Sequence, residues 1–178
     1  MLRLVVLVAL VAVTSCGNDK TELKDTNNCD ACGGDCLLET FEIGNRQHTL
    51  SDVAYETLPP SGGQHDPCWV PWGIYDHAVR TERWVHNLEH GGLVFLYDCP
   101  EGCDDDVAAL TAFVESLPPG RAVMAPYAEM DSRVAVVSWG VRMTSDCVDT
   151  AALRSFYDAN VGHAPENLTQ DPVGCPAP

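Results

Sequence analysis

The fold of this chain is decided by residues 86–97, whose sequence is HNLEHGGLVFLY. The second half of this stretch, residues 92–97, is a continuous apolar run, which is typical of a strand buried on both faces of a sheet. The first half predicts a short helical turn that places His86 and His90, four positions apart, on one face. The stretch therefore predicts a histidine-bearing helix directly before a central strand.

The residues after this strand carry alternating helix and strand patterns. Residues 104–106 are three aspartates that precede apolar residues at helical spacing, and acids are favoured at a helix N-terminus. Residues 122–127 and 133–139 predict two strands joined by a turn, and Asp149 or Thr150 can cap a last helix. We predict an α+β fold with one mostly antiparallel or mixed sheet packed by helices and stapled by disulfides. A thioredoxin-like ending has the same order of elements and is the second interpretation.

The length of 178 residues predicts one globular domain, at about 150 residues per domain. We divide the chain into a signal peptide (1–15), a lipidated tether with a cysteine cluster (16–40) and a single α+β domain (41–178). The cysteine cluster is expected to form a stapled turn rather than a core element. Within the domain, residues 41–53 suggest a short strand or hairpin. Residues 55–77 are rich in Pro, Gly and Trp, which predicts a long ordered loop.

The N-terminus carries an export signal. Residues 4–13 form an apolar run that is too short to span a bilayer but suits the core of a signal peptide. The following Val13-Thr14-Ser15-Cys16 resembles the bacterial lipobox, which implies cleavage before Cys16 and lipidation of its sulfur. The resulting anchor places the protein in the cell envelope. Gly17 after the cysteine favours the outer membrane, facing the periplasm or the cell surface.

The cysteine count agrees with an oxidising compartment. Nine cysteines less the lipidated one leave an even number, which predicts up to four disulfides whose connectivity the sequence does not select. Cys99 and Cys103, four positions apart, are the expected local pair. The disulfide candidates are Cys29, Cys32, Cys36, Cys68, Cys99, Cys103, Cys147 and Cys175.

The charge of the chain restricts its partners. Acidic residues outnumber basic ones by 26 to 10, and the net charge is −16. This field repels the phosphates of nucleic acid, so we expect no nucleic-acid partner. The expected partners are a membrane, through the lipid anchor, and a metal ion, whereas protein partners are left open.

Three histidines stand in unusual surroundings. His65 follows two glycines that permit a close backbone approach, and His86 and His90 lie on the predicted helix. Two imidazoles at this spacing and a third from another loop form a common metal site. By contrast, His48 and His77 stand alone in polar surroundings, where we expect them to be solvated.

Several segments of the chain resemble the motifs of a bacterial family, the domain-of-unknown-function family 3105. These segments are Pro59-Pro60-Ser61-Gly62-Gly63-Gln64-His65, Gly73-Ile74-Tyr75, His86-Asn87-Leu88-Glu89-His90-Gly91-Gly92, Ser138-Trp139-Gly140 and Ala164-Pro165-Glu166. The resemblance covers residues 42–167 and implies an exported or membrane-anchored protein. It brings no established activity with it.

We expect a metal-binding lipoprotein rather than an enzyme. The predicted ligands are His65, His86 and His90, with Met130 as a tentative fourth ligand for copper. Thioethers near imidazole favour copper, whereas imidazole with Glu89 suits zinc, so a copper or zinc ion is the expected cofactor. Binding should weaken as the pH falls through about 6.5, because protons compete with the metal for neutral imidazole.

Three other interpretations of the histidines remain open. In the first, the histidines are structural and hold the Pro/Gly-rich loop without metal. In the second, Trp69, Trp72 and Trp84 form an aromatic surface of a protein-interaction module. In the third, His86-x-x-Glu89-His90 matches the inverted zincin signature of zinc hydrolases, which requires a long helix.

The anchor is tested by replacing its lipidation site. We expect Cys16→Ala to release the protein from membranes or to block its processing, because no acyl chain can then be attached. Detergent partitioning and mass spectrometry of the mature N-terminus measure this. An unmodified Cys16 thiol in membrane-derived protein would contradict the lipoprotein prediction.

Overall fold

The computed structural model describes residues 29–34, 36–168 and 175. The predicted signal peptide, Cys16 and most of the predicted tether lie outside the described residues. In the described part of the chain, no helix is both long and apolar enough to cross a bilayer.

One six-stranded mixed sheet forms the centre of the structure. Its strands are β1 (Cys36–Thr40), β2 (Gly73–Ile74), β3 (Leu93–Tyr97), β4 (Ala122–Pro126), β5 (Val134–Ser138) and β6 (Val141–Ser145). The α-helices are α1 (Thr81–Glu89), α2 (Asp104–Glu115) and α3 (Thr150–Asn160). The strand order across the sheet is β1-β6-β5-β3-β4-β2, which confirms the α+β class with a mixed sheet.

The central strand β3 is buried on both of its faces. Leu93 and Phe95 pack into a cluster with the apolar residues of α2 and α3, whereas Val94 and Leu96 pack into a second cluster with those of α1. Successive side chains of a strand point to opposite faces, so a strand covered on both faces must be apolar throughout. The continuous run at residues 92–97 reflects this position.

The predicted strand pair differs from the observed one. Residues 122–127 and 133–139 contain β4 and β5, but these strands do not pair with each other, because β3 lies between them. It pairs parallel with β4 and antiparallel with β5. The helical crossover α2 is what allows a parallel pair. The partner of β5 on its other side is β6, which the sequence analysis missed and which follows the turn Trp139-Gly140.

The prediction of a strand or hairpin at residues 41–53 is wrong. Only one isolated bridge occurs in this segment, where His48 pairs with His65. Most residues from 44 to 52 are exposed, so their side chains supply little apolar burial to hold a strand. The bridge nevertheless brings two distant parts of the chain together.

The cysteine cluster was predicted to be a stapled turn outside the core, and the structure corrects this. A single 3-10 turn at Asp30–Cys32 is followed by β1, which pairs antiparallel with β6 at the edge of the sheet. Cys29 is fully buried against the α2 and α3 side of the sheet. The cluster is therefore part of the fold.

The last helix is capped as predicted. The Asp149 carboxylate accepts hydrogen bonds from the backbone N–H groups of Ala151 and Ala152, each at 3.0 Å. It also accepts one from Ala31 in the N-terminal turn, at 3.0 Å. The hydrogen bond from Ala152 in particular favours the carboxylate and lowers the pKa of Asp149. One side chain thus caps α3 and fastens the N-terminal turn to it.

All eight cysteines of the described residues form disulfides. The pairs are Cys29–Cys36, Cys32–Cys147, Cys68–Cys175 and Cys99–Cys103. The predicted even framework and the local pair are confirmed. Cys29 and Cys32 belong to two different disulfides, so they do not form the Cys-x-x-Cys redox pair that a thioredoxin-like activity would need.

The disulfides are expected to differ in their contribution to stability. Cys32–Cys147 spans 115 positions and Cys99–Cys103 spans 4. Loop-closure entropy predicts that removing the long-range bridge lowers the free energy of unfolding by about 3 kcal/mol more than removing the local one does. Urea denaturation of the Cys32→Ser, Cys147→Ser and Cys99→Ser, Cys103→Ser double variants measures this. Equal losses, or a peptide map with other pairings, would contradict the framework.

Candidate metal centre

Helix α1 and the residue after it supply three polar side chains to one site. Trp84, Val85 and Leu88 pack one side of α1 against the sheet. His86, Glu89 and His90 are also buried, each 6% exposed or less. Residues three and four positions apart share a helix face. The Nε2 atoms of His86 and His90 accordingly lie 3.0 Å apart.

The Pro/Gly-rich loop places His65 beside these side chains of α1. His65 is fully buried, and its Nδ1–H donates to the Gly63 carbonyl at 2.8 Å. Its Nε2 lies 3.0 Å from Glu89 Oε2. Gly63 has a φ of 126°, and a Cβ there would meet the ring of Tyr55 at 3.3 Å. The residue whose carbonyl orients the imidazole must therefore be a glycine.

His48 completes the cluster, although its sequence position gave no sign of it. Its ring centroid lies 4.9 Å from that of His65 and 4.8 Å from that of His86. Its Nε2 is 3.9 Å from Glu89 Oε2. Half of the His48 side chain is exposed, as the prediction of a solvated residue expects, but the prediction that it stands alone is wrong. The backbone bridge to His65 brings His48 into the cluster, and no local sequence pattern predicts this bridge.

Backbone carbonyls fix the protons of two imidazoles. A carbonyl can only accept, so His65 donates from Nδ1 to Gly63, and His86 donates from Nδ1 to Asp66 at 2.7 Å. The neutral rings then carry a lone pair on Nε2, which points into the cluster. Metal-binding histidines almost always show this arrangement, with the second ring nitrogen donating to a carbonyl or carboxylate.

The surroundings of the cluster keep the imidazoles of His86 and His90 neutral. Burial, together with the neighbouring His65 and His90, lowers the pKa of His86 to about 3. Burial, together with His65 and His48, lowers the pKa of His90 to about 4. Protons therefore compete for these two rings only at a lower pH than the value near 6.5 that the sequence analysis expected. Neutral imidazole is the form that binds metal.

The potential ligands fall into two groups that share Glu89. His48, His65, His86 and Glu89 offer ligand atoms that all lie within 4.8 Å of one another, and Glu89, His90 and Glu166 form a second such group. The ligand atoms of a tetrahedral zinc site lie about 3.3 Å apart, so small side-chain shifts suffice to close the first group around an ion. An open cleft of about 500 Å³ leads to the cluster, and it is lined by Arg46, Gln47, His48, Glu89 and Glu166.

The structure brings together the predicted histidines. His65 and His86 belong to the first group, and His90 contacts His86 from the second. Met124 packs on the α2 and α3 face of the sheet, opposite to α1. Met130 packs in the apolar cluster of the α1 face, and its role as a ligand stays a prediction. Glu89 and His48 join His65 and His86 in the first group.

The inverted zincin signature does not form a hydrolase site of the expected kind. Helix α1 has only nine residues and ends at Glu89, before the second histidine. In that signature the glutamate acts as a general base beside the metal. Here the Glu89 carboxylate lies against His65, within the ligand cluster. This position suits a ligand better than a free base.

The predicted aromatic surface is also largely absent from the described residues. Trp84 is fully buried and Trp69 is 5% exposed, while Trp72 is partly buried. Trp69 packs edge-on against His90, with ring centroids 3.7 Å apart. A Cβ on Gly92 would lie 2.2 Å from the Trp72 ring, so glycine is required there. Trp69 thus forms a wall of the site, whereas Trp84 packs α1 against the sheet.

One family model covers the whole cluster. Residues 47–172 match the model described as Protein of unknown function (DUF3105). The chain belongs to the DUF3105 family. No curated protein and no solved structure gives a match. The DUF3105 match includes every ligand candidate from His48 to Glu166, whereas the disulfide-linked turn at residues 29–36 and Cys175 lie outside it.

The pKa of His86 predicts an acid-sensitive fold in the metal-free state. Its folded pKa is lower than its unfolded one, so the unfolded chain binds more protons, and the free energy of unfolding falls as the pH drops below about 6.5. We expect His86 to account for a loss of about 2 kcal/mol between pH 7 and pH 4.5. Urea denaturation of the metal-free chain and its His86→Asn variant measures this loss. His77→Asn, at an exposed histidine, is the control, and equal pH dependence in the chain and its His86→Asn variant would contradict the assignment.

Proposed function

We propose that this DUF3105 protein is a lipid-anchored protein of the bacterial cell envelope that binds a divalent transition-metal ion, zinc or copper(II). The ion is held by His65, His86 and Glu89, with His48 closing the site from the solvent side. Its function is metal binding rather than catalysis. The lipobox-like segment ending at Cys16 supports the anchor, and the disulfides support an oxidising compartment.

One observation carries the metal proposal. His65 and His86 donate their Nδ1–H groups to backbone carbonyls, so in the neutral rings both Nε2 atoms carry a lone pair that faces the cluster. Nevertheless, His65 Nε2 lies 3.0 Å from a Glu89 carboxylate oxygen. A lone pair and a carboxylate repel each other unless a cation or an added proton lies between them. A metal ion satisfies both atoms at once.

The ligand chemistry narrows the choice of ion. Three imidazoles and one carboxylate suit zinc, and imidazole also suits copper(II). Copper(I) prefers thioether and thiolate ligands, and all eight cysteines of the described residues are in disulfides. A divalent ion also compensates the buried carboxylate of Glu89. The net charge of −16 raises the local concentration of cations.

Surrounding contacts hold the ligands in place. Asp66 links the loop to α1: its carbonyl accepts from His86, and its carboxylate accepts from Arg80 at 2.7 Å. The carboxylate also accepts from the Cys68 N–H at 2.8 Å. The disulfide of Cys68 with Cys175 fastens the same loop. Rigid support of this kind is what keeps ligands within binding geometry.

Calorimetric titration of the chelator-treated chain, with disulfides intact, tests the proposal with Zn(II), Cu(II) and Cu(I). We expect binding of Zn(II) or Cu(II) tighter than about 10 µM. Glu89→Gln keeps the shape of the side chain but removes its charge, and it should weaken binding at least about 10- to 100-fold. His86→Ala should weaken it as well. His77→Ala, at an exposed histidine, is the matched control and should bind like the unmodified chain.

Two results would contradict the proposal. Equal affinity in the unmodified chain and Glu89→Gln would show that the ion binds elsewhere. The absence of binding tighter than about 10 µM for all three ions would leave the histidines with the structural role of orienting the loop.

A further inference from the structure

The second ligand group lies directly beside the first. It consists of Glu89, His90 and Glu166, and its ligand atoms lie within 4.8 Å of one another. His90 Nε2 is 3.2 Å from Glu166 Oε2 and 3.0 Å from His86 Nε2. The two groups thus share one carboxylate and meet through a pair of imidazoles.

His90 differs from the other buried histidines in its hydrogen bonds. Its Nδ1 is buried and has no hydrogen-bond partner in the described part of the chain, and the ring packs edge-on against Trp69. Its Nε2 faces both His86 Nε2, which has no proton, and a carboxylate oxygen of Glu166. A neutral ring cannot satisfy this environment completely, because either proton position leaves a buried ring nitrogen poorly paired. In the Nδ1–H tautomer, Nε2 presents a lone pair to the Glu166 carboxylate, and a cation bound at Nε2 removes that repulsion.

Glu166 is half-exposed, but its backbone is fixed. It lies on a C-terminal strap, defined here as residues 162–168, which crosses the end of α1. Three of its backbone N–H groups donate to carbonyls at the end of α1. The Gly162 N–H donates to Gly91 at 2.8 Å, that of Glu166 to Glu89 at 3.0 Å, and that of Leu168 to His90 at 3.2 Å. These bonds set Glu166 beside His90 as part of the fold rather than as a loose surface acid.

Arg121 also holds the strap, and with it Glu166, at the end of α1. Its Nη1 donates to the His90 carbonyl at 2.9 Å, and its Nη2 donates to the side-chain oxygen of Asn167. The guanidinium thereby joins the end of α1 to the strap. It does so through groups that are not potential ligands, so the carboxylate of Glu166 remains directed at His90.

We propose that the site binds two divalent cations, and that Glu89 bridges them. This inference rests on the proposed function. The first ion is the one described above, and the second lies between His90 and Glu166 at the mouth of the cleft. A carboxylate has two oxygens and can bind one ion with each, and ions in two-metal sites lie about 3.5–4 Å apart. The short distance between the His86 and His90 Nε2 atoms is compatible with one imidazole on each ion.

The charges of the site agree with this assignment. The cluster holds two carboxylates, Glu89 and Glu166, and two divalent cations would balance their charge. The cleft reaches both groups, because its lining includes His48 of the first group and Glu166 of the second, and both side chains are about half-exposed. The second group has only three of these potential ligands, and it shares Glu89 with the first. We expect the second ion to bind more weakly and to exchange faster than the first.

The test counts the ions per chain. The metal-stripped full chain is dialysed to equilibrium against Zn(II), and bound zinc is measured by mass spectrometry of the metal. We expect two zinc ions in the unmodified chain and one in Glu166→Gln, which loses only the second site. Glu115→Gln, at an exposed position of α2, is the matched control and should keep two. With Co(II), we expect a spin-coupled electron paramagnetic resonance signal that becomes that of an isolated ion in Glu166→Gln.

The other outcomes separate this inference from the proposed function. One ion in both the unmodified chain and Glu166→Gln would overturn the second site and leave the first in place. Two ions in both would remove Glu166 as a ligand and overturn the assignment. No ion in Glu166→Gln would mean that Glu166 belongs to a single site, which also overturns it. No ion in the unmodified chain would refute the proposed function itself.

Discussion

The fully buried carboxamide of Asn87 is the contact on which the site depends. Its oxygen accepts from the Val70 N–H at 3.0 Å, and its nitrogen donates to the Val70 carbonyl at 2.8 Å. One side chain of α1 thus pairs with the loop as a neighbouring strand would. Val70 is itself fully buried, so both backbone groups would otherwise lack partners, at a cost of about 1–3 kcal/mol each. The positions of Asp66 and His65, four and five residues earlier, follow from this fixed point.

The parts of the fold that the sequence predicted are those with a local cause. The apolar run of β3, the acidic start of α2 and the Asp149 cap each depend on neighbouring residues, and each was found as expected. The pairing of the strands was not predictable in the same way, because it depends on α2 carrying the chain across the sheet. The segment around His48 was misassigned because a single bridge, rather than a strand, orders it.

In the candidate site, too, the residues with a local cause could be predicted and those that depend on distant contacts could not. His86, Glu89 and His90 could be predicted as a group, because helical spacing alone brings them together. His65 could be suspected from its glycines. His48 could not, since its approach requires a bridge between segments 17 positions apart. Met124 lies outside the site because strand positions of opposite parity face opposite sides of a sheet: Met124 lies on the side away from α1, whereas Val123 and Ala125 face it.

The connectivity of the disulfides has a consequence for how the chain reaches this structure. Cysteines oxidised in the order in which they occur would join Cys29 to Cys32 and Cys36 to Cys68, and neither pair is native. Two of the native bridges span more than 100 positions and can close only after the C-terminal half is present. Long-range pairing of this kind slows folding, since loops must close before contacts stabilise them. Any early pair such as Cys29–Cys32 must be rearranged by thiol–disulfide exchange, a step that takes minutes to hours without a catalyst.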